Sequence, residues 1–226
     1  IIHVEGKTDP IRDIEIINVE LILADLEIVT NRISKIEKKA QTTKEKDAVL
    51  EYETLKKCEN SLMNNIPLRR VEFNEDELLL IKNFNFITLK PIIYAANVSE
   101  DDCIIGENEY TKLVKEYAKN DDAQVIVMCA KMESELAELN DDDKKAFMED
   151  FGLTNSGLDK LIFATYYLLG LQTFFTVGKD ECRAWTFKKG MKAPECAGLI
   201  HSDFQRGFIK AEVTSFNDLE KLGSEK

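Results

Sequence analysis

At 226 residues, 44% hydrophobic and 32% charged, the chain is long enough for a sizeable core, or for one domain plus a smaller one. Its net charge of −12 argues against a protein that coats nucleic acid by bulk electrostatics, and DNA is not expected as a partner. No apolar run approaches the about 18 residues of a membrane span, so no membrane partner is expected either. The five cysteines, Cys58, Cys103, Cys129, Cys182 and Cys196, form no C-x-x-C, and with two histidines they make no plausible zinc set. A reduced, cytoplasmic protein with no metal site in this stretch fits best. The opening Ile1-Ile-His-Val lacks an initiator Met, a charged leader and an apolar signal, so the chain reads as an internal piece of a longer polypeptide.

In chain order, Val19, Ile22, Leu26, Val29, Ile33, Ile36 and Ala40 recur at alternating spacings of three and four. That register predicts the seam of an antiparallel coiled coil; an ordinary pair of core helices is the plainer alternative. The polar stretch 41–47 turns the chain, and Ala48, Tyr52, Leu55 and Leu62 give a returning helix its stripe, ended near Pro67. Residues 75–85 predict a short helix leading back to a compact domain. The continuous apolar run over 90–97 predicts a strand buried on both faces of a parallel sheet. An amphipathic helix over 110–119 and a second strand over 124–129 complete a βαβ unit, for which a right-handed crossover is expected. One more amphipathic helix covers 158–169. From Thr173 the pattern becomes short strands over 174–177, 182–187 and 207–213, separated by Gly178, Gly190, Pro194 and Gly198. The fold class is therefore α/β with a small α+β module appended, divided as 1–171 and 172–226. From Thr173 to Lys226 nine Lys and Arg face eight Asp and Glu, so the acidity lies upstream.

In open parallel sheets, ligands bind beyond the carboxyl ends of the strands. The first such end is Asn97-Val98-Ser99-Glu100, which taken alone also fits a solvated loop. The second is Cys129-Ala130-Lys131, which also fits a buried strand-end cysteine before an exposed lysine. No G-x-x-x-x-G-K-[ST] phosphate loop is present, and no catalytic residue is assigned. His201-Ser202-Asp203 has the letters of a hydrolase triad, but adjacent residues cannot adopt its geometry. Glu133, Glu135 and Glu138, followed by Asp141 to Asp143, read as a solvated acidic helix with Asn140 or Asp141 capping the next one. Met128 and Met132 beside Cys129 read as core.

The stretch from Leu171 to Asp218, with Leu171-Gln-Thr-Phe-Phe-Thr, Arg183-Ala-Trp-Thr-Phe and Ile200-His-Ser-Asp-Phe, resembles the C-terminal TGS domain of the Obg-like ATPases, called YchF in bacteria. Members are P-loop nucleotide hydrolases that favour ATP where related proteins favour GTP. The resemblance implies a partial P-loop NTPase-type parallel-sheet domain with an antiparallel coiled-coil insertion over about 11–85, and an incomplete TGS domain over 172–226. It implies that Asn97-x-x-Glu100 stands where GTPases carry N-K-x-D. Asn97 would brace the base loop, Val98 would give backbone and apolar contact to adenine, and Glu100 would hold the specificity position. Cys129-Ala130-Lys131 would stand for their S-A-K loop, with the Ala130 N–H reaching the base and the aliphatic part of Lys131 flanking it. ATP, Mg²⁺ and the ribosome or its RNA are the implied cofactor and partners. The P-loop, switches and Mg²⁺ ligands would lie upstream. His3-Val-Glu-Gly-Lys and Asp9-Pro-Ile-Arg-Asp-Ile-Glu resemble the segment that follows them, and this stretch alone should hydrolyse nothing efficiently. Arg183, Lys188, Lys189, Lys192 and Arg206, near Trp185 and Phe204, are candidate RNA contacts. A GTPase with an unusual base motif and a non-enzymatic ribosome-binding adaptor are the competing readings.

Overall fold

A computed structural model describes residues 8–43, 45–178 and 180–223. The chain divides into two units, 1–164 and 165–226. The stretch His3 to Lys7 lies outside the described residues.

Helix α1 (Pro10–Thr43) is 34 residues long, about 50 Å at 1.5 Å per residue. Asp9 starts it: its Oδ1 accepts from the Arg12 N–H at 3.1 Å, and Pro10 takes the first turn, where its missing N–H would have no helical partner anyway. Helix α2 (Lys46–Met63) follows after two positions and packs back along α1. Ile22, Val29, Ile33 and Ile36 of α1 meet Leu55, Cys58 and Leu62 of α2 in one core, closed by Leu68, Ile81 and Phe86. Burial pushes the Cys58 thiol up to about 12, so it is inert.

The expected seam is corrected in its first half. Val19 is 40% exposed; Leu26 is half-buried and packs against the core as expected, and Asp25 beside it is fully buried. The buried positions Ile22, Asp25, Val29, Ile33, Ile36 and Ala40 follow the about 3.6-residue period of a straight helix; the expected seam shares all of them but Asp25, and departs at its first member, Val19. The Asp25 carboxylate is satisfied by neutral donors: Oδ1 accepts from the Ile87 N–H at 2.9 Å, and Oδ2 from the Thr88 N–H and hydroxyl, both at 2.7 Å. This staples α1 to the segment that enters the sheet.

Helix α3 (Glu75–Ile81) begins in an Asn74–Glu77 capping box and runs into a 3₁₀ turn over Lys82–Phe84. Strand β1 (Ile93–Asn97), helix α4 (Glu100–Ile105), helix α5 (Glu109–Ala118) and strand β2 (Gln124–Met128) follow. The strands pair in parallel, Ile93 opposite Gln124 through Asn97 opposite Met128, and α5 packs on both. Burial on both faces was expected. The strands are instead half-buried, with Ala95 exposed, because this sheet has two strands among the described residues and apolar composition alone does not supply a second covering layer.

The other ends of these strands are clamped to the hairpin. Asp121, just before β2 and without exposed side-chain surface, accepts from Arg69 Nε at 2.8 Å and Tyr94 OH at 2.7 Å. It also accepts from Arg70 Nε at 2.7 Å and Nη2 at 2.9 Å. Burial pushes its carboxyl up, but the bonds from Arg70, Arg69 and Tyr94 outweigh that and bring it down to about 2. Arg69 Nη2 also donates to Asn18 of α1 at 2.9 Å.

Helices α6 (Ala130–Glu138), α7 (Asp141–Asp150) and α8 (Gly157–Leu168) complete the first unit's elements, with α8 running past its end. Asn140 caps α7 as expected, accepting from the Asp142 and Asp143 N–H groups. Glu133 does not point to solvent as expected: it accepts from the Gly157 N–H at 2.6 Å and the Leu158 N–H at 3.1 Å, capping α8. A Cβ at Gly157 would lie 2.6 Å from Met128 Cβ, so this approach to the end of β2 requires glycine.

In the second unit, strands β3 (Leu171–Val177) and β4 (Cys182–Lys188) form an antiparallel hairpin, followed by α9 (Ala193–Ile200), α10 (Ser202–Arg206) and α11 (Phe216–Leu222). The strand expected over 207–213 is absent: the segment pairs with no described strand, and Ile209 is 91% exposed. Its alternating composition suits a strand, but without an edge to pair with, that propensity has no effect. No described helix is long and apolar enough to cross a membrane.

Candidate functional site

Because β1 and β2 are parallel and in register, their carboxyl ends leave the sheet side by side. The Val98 N–H donates to Met128 O at 2.9 Å, carrying the ladder one residue past β1. The chain then turns into α4, whose Asp102 N–H donates to the Ser99 hydroxyl at 3.2 Å. Beyond β2, Cys129 leads into α6 with no side-chain cap of its own. Asn97 supplies the missing partner from the neighbouring strand, its Oδ1 accepting from the Ala130 N–H at 2.9 Å.

Between the two loops lies an open cleft of about 390 Å³, lined by Asn97, Val98, Ser99, Glu100, Asp101, Cys129 and Lys131. That is within the ~300–1,000 Å³ range of small-molecule sites. The structure thus brings the two strand-end motifs to one place.

Several of these groups have partners within the chain. The Ala130 N–H donates to Asn97. With its Oδ1 so used, Asn97 has its Nδ2 donor to offer. The Val98 side chain packs on a cluster of Cys103, Cys129 and Met132. Cys129 is buried, at the floor of the cleft, and burial also raises the neighbouring Cys103 thiol. Lys131 does more than flank: its Nζ donates to Glu100 Oε1 at 2.6 Å, and Glu135 Oε1 lies at 3.8 Å. The hydrogen bond to Glu100, followed by the charges of Glu100 and Glu135, raises the Lys131 ammonium above its ordinary value. Sequence reasoning missed this pair because its members lie 31 residues apart.

Among the described residues, no group of three or more His, Cys, Asp or Glu could hold a metal ion. The five RNA-contact candidates lie on β4, on the segment that follows it and at the end of α10. Arg183 stacks on the Trp185 ring at 4.2 Å. Lys188 lies at the other end of β4, about 17 Å away at ~3.3 Å per residue, and on the opposite face. Lys189 and Lys192 flank the turn that follows at Gly190, and Arg206 ends α10. Trp185 is half-buried, with Nε1 donating to Thr176 Oγ1 at 2.9 Å, so only part of its ring is open to stacking.

Residues 171–226 match the family model YchF-GTPase_C, described as "Protein of unknown function (DUF933)". Over 220 residues, 97% of this chain and 60% of the relative, the chain is 55% identical to "Ribosome-binding ATPase YchF" of Bacillus subtilis (strain 168). It is 38% identical over 225 residues to "Obg-like ATPase 1" of Caenorhabditis elegans, covering 99% of this chain and 57% of the relative. The chain belongs to the YchF family. The solved structure of the Schizosaccharomyces pombe YchF GTPase superposes on the whole chain and 61% of its own length, with a TM-score of 0.84 and 33% identity. The mixed architecture of parallel and antiparallel sheets is therefore the YchF fold. The chain spans about 60% of the length of the curated relatives it matches.

Proposed function

We propose that the chain is the base-recognising and ribosome-contacting part of a cytoplasmic nucleotide hydrolase that binds and hydrolyses ATP in preference to GTP. The observation that carries this reading is the cleft at the paired strand ends, with Asn97-x-x-Glu100 on one side and Cys129-Ala130-Lys131 on the other. Adenine presents a donor at its amino group and an acceptor at its ring nitrogen. A carboxylate placed to accept twice suits guanine instead, and a site whose hydrogen-bond partners are wrong loses a few kcal/mol, enough to reverse a preference. In this reading the Mg²⁺ arrives with the nucleotide, and phosphate, metal and catalytic groups belong to parts of the full-length protein outside this chain, which alone is inactive.

The ribosome part of the reading is supported by the names of the relatives and by one feature of α1 and α2. Between Asn31 and Lys46 the sequence carries six Lys or Arg against two Glu, in a chain of net charge −12. Described Lys35, Lys38 and Lys46 are exposed there, suited to a phosphate backbone.

The competing reading is a GTPase, favoured by the naming of the S. pombe relative as one and by the acid retained at position 100. Calorimetry of the full-length protein with ATP and GTP separates the two. GTP weaker by at least about tenfold, about 1.4 kcal/mol, is expected. A GTP preference moves the protein to the second reading, and binding of neither leaves an adaptor.

A further inference from the structure

We propose that Lys131 sets the base preference of the cleft, by holding the Glu100 carboxylate through one of its oxygens so that the paired donors of guanine must compete with the ammonium for it. The inference rests on the cleft being the base site and goes beyond that reading by assigning selection to the ion pair.

Guanine displays two adjacent donors, its ring N–H and its amino group, and one carboxylate satisfies both only by presenting both oxygens. Here Oε1 of Glu100 receives the Lys131 ammonium at 2.6 Å. The arrangement follows from the local fold. Glu100 is the first residue of α4 and Lys131 the second of α6, and Asn97 pins the two loops together through the Ala130 N–H, one residue before Lys131. Glu135, one turn further along α6, gives the ammonium a second carboxylate at 3.8 Å. Oε1 keeps a second lone pair, but the ammonium fixes the carboxylate's orientation and competes for that oxygen; the single amino donor of adenine can use Oε2 alone, whereas the paired donors of guanine need both oxygens free to align.

The pair is exposed, with Lys131 at 70% and Glu100 at 40% of side-chain surface, and in open water such a pair is worth little. A base seated in the cleft displaces water, and the same contact then strengthens. Lys131 should therefore act on nucleotide choice and not on the melting temperature.

The test is ATP and GTP calorimetry on the full-length protein as wild type, Lys131→Met, Glu100→Gln and the double variant. Methionine keeps the aliphatic stem and removes the charge. Lys131→Met is expected to raise GTP affinity relative to ATP by about tenfold. In the Glu100→Gln background the same change should leave the ratio within about twofold, because the coupling partner is gone. Lys131→Arg should keep the wild-type ratio. A ratio unmoved by Lys131→Met overturns the inference. So does an equal shift in both backgrounds, which would put Lys131 on the nucleotide directly. A wild type that binds neither nucleotide, or both equally, overturns the base-site reading itself and the inference with it.

Discussion

Asp121→Asn tests whether the hairpin base is held by a compensated buried charge. The Asp121 side chain has no exposed surface, and that of Arg69 is 4% exposed. Removing one partner of a buried ion pair costs ~3–5 kcal/mol, because the remaining charge is left in a dry site. Arg70, 24% exposed, can turn partly to water, and asparagine keeps one acceptor oxygen. The expected loss is therefore at the low end, about 3 kcal/mol. In a chain of this size each kcal/mol lowers Tm by ~2–4 °C, so a fall of roughly 6–12 °C is expected. Unfolding should be followed by far-UV circular dichroism, to which α1 and α2 contribute strongly. The single tryptophan, Trp185, lies in the unit 165–226 and reports on the other part. Acid supplies a second readout. The folded Asp121 carboxyl sits at about 2 against an ordinary value of 3.8. A depressed folded value means its stabilisation is present above pH about 4 and is lost as pH falls towards about 2; the amount is roughly 2 kcal/mol. Wild type should lose that increment across the window, and Asp121→Asn should not. A loss below about 1 kcal/mol at neutral pH, or superimposable acid profiles, would refute the reasoning.

The Asp25 staple and the tip of the helical hairpin each give a further prediction. Asp25→Ala leaves the Ile87 N–H and both Thr88 donors without an acceptor; at ~1–3 kcal/mol per buried unsatisfied group the loss should exceed about 3 kcal/mol in urea unfolding, with Asp25→Asn milder, and a loss under about 1 kcal/mol would mean the staple is not needed. Lys35→Ala with Lys38→Ala in the full-length protein should weaken ribosome association and flatten its salt dependence, by ~0.7–0.9 in log–log slope per lost phosphate contact, more than Lys188→Ala with Lys189→Ala does; an unchanged slope removes the hairpin tip from the contact.

Much of the fold is legible because it is written locally. The two long helices, the parallel strand pair around α5 and the β3–β4 hairpin follow from periodicity and turn residues within short windows. The failures share a physical cause. A period of three and four puts Val19 in the seam, where it is 40% exposed, and passes over Asp25, which is buried because its carboxylate is bonded to the Ile87 and Thr88 donors. The charged Asp25, spaced three from Ile22 and four from Val29, is the signal in the sequence that could have corrected it. The run over 207–213 has strand composition but no partner edge, and pairing is not a local property. Asp121 lies more than 50 residues along the chain from Arg69 and Arg70, so no window contains their bonds. The site is legible as motifs and not as geometry: Asn97, Glu100 and Lys131 can be named, but which of their atoms bond to one another cannot.

Those internal bonds decide where selectivity can reside. Ser99 caps α4, Asn97 serves α6 and Glu133 caps α8, so three helix starts around the cleft have their leading N–H groups engaged by side chains. Val98 and Cys129 are packed into or against a small core beneath. Altering Val98 or Cys129 disturbs packing, and altering Ser99, Asn97 or Glu133 removes a helix cap, so each of these changes acts on the loops as well as on recognition. Glu100 and Lys131 differ. They are exposed, their bond adds little to stability in water, and changing them leaves the loops intact. A base preference can therefore be set, or reversed, at this pair with little disturbance to the structure around it.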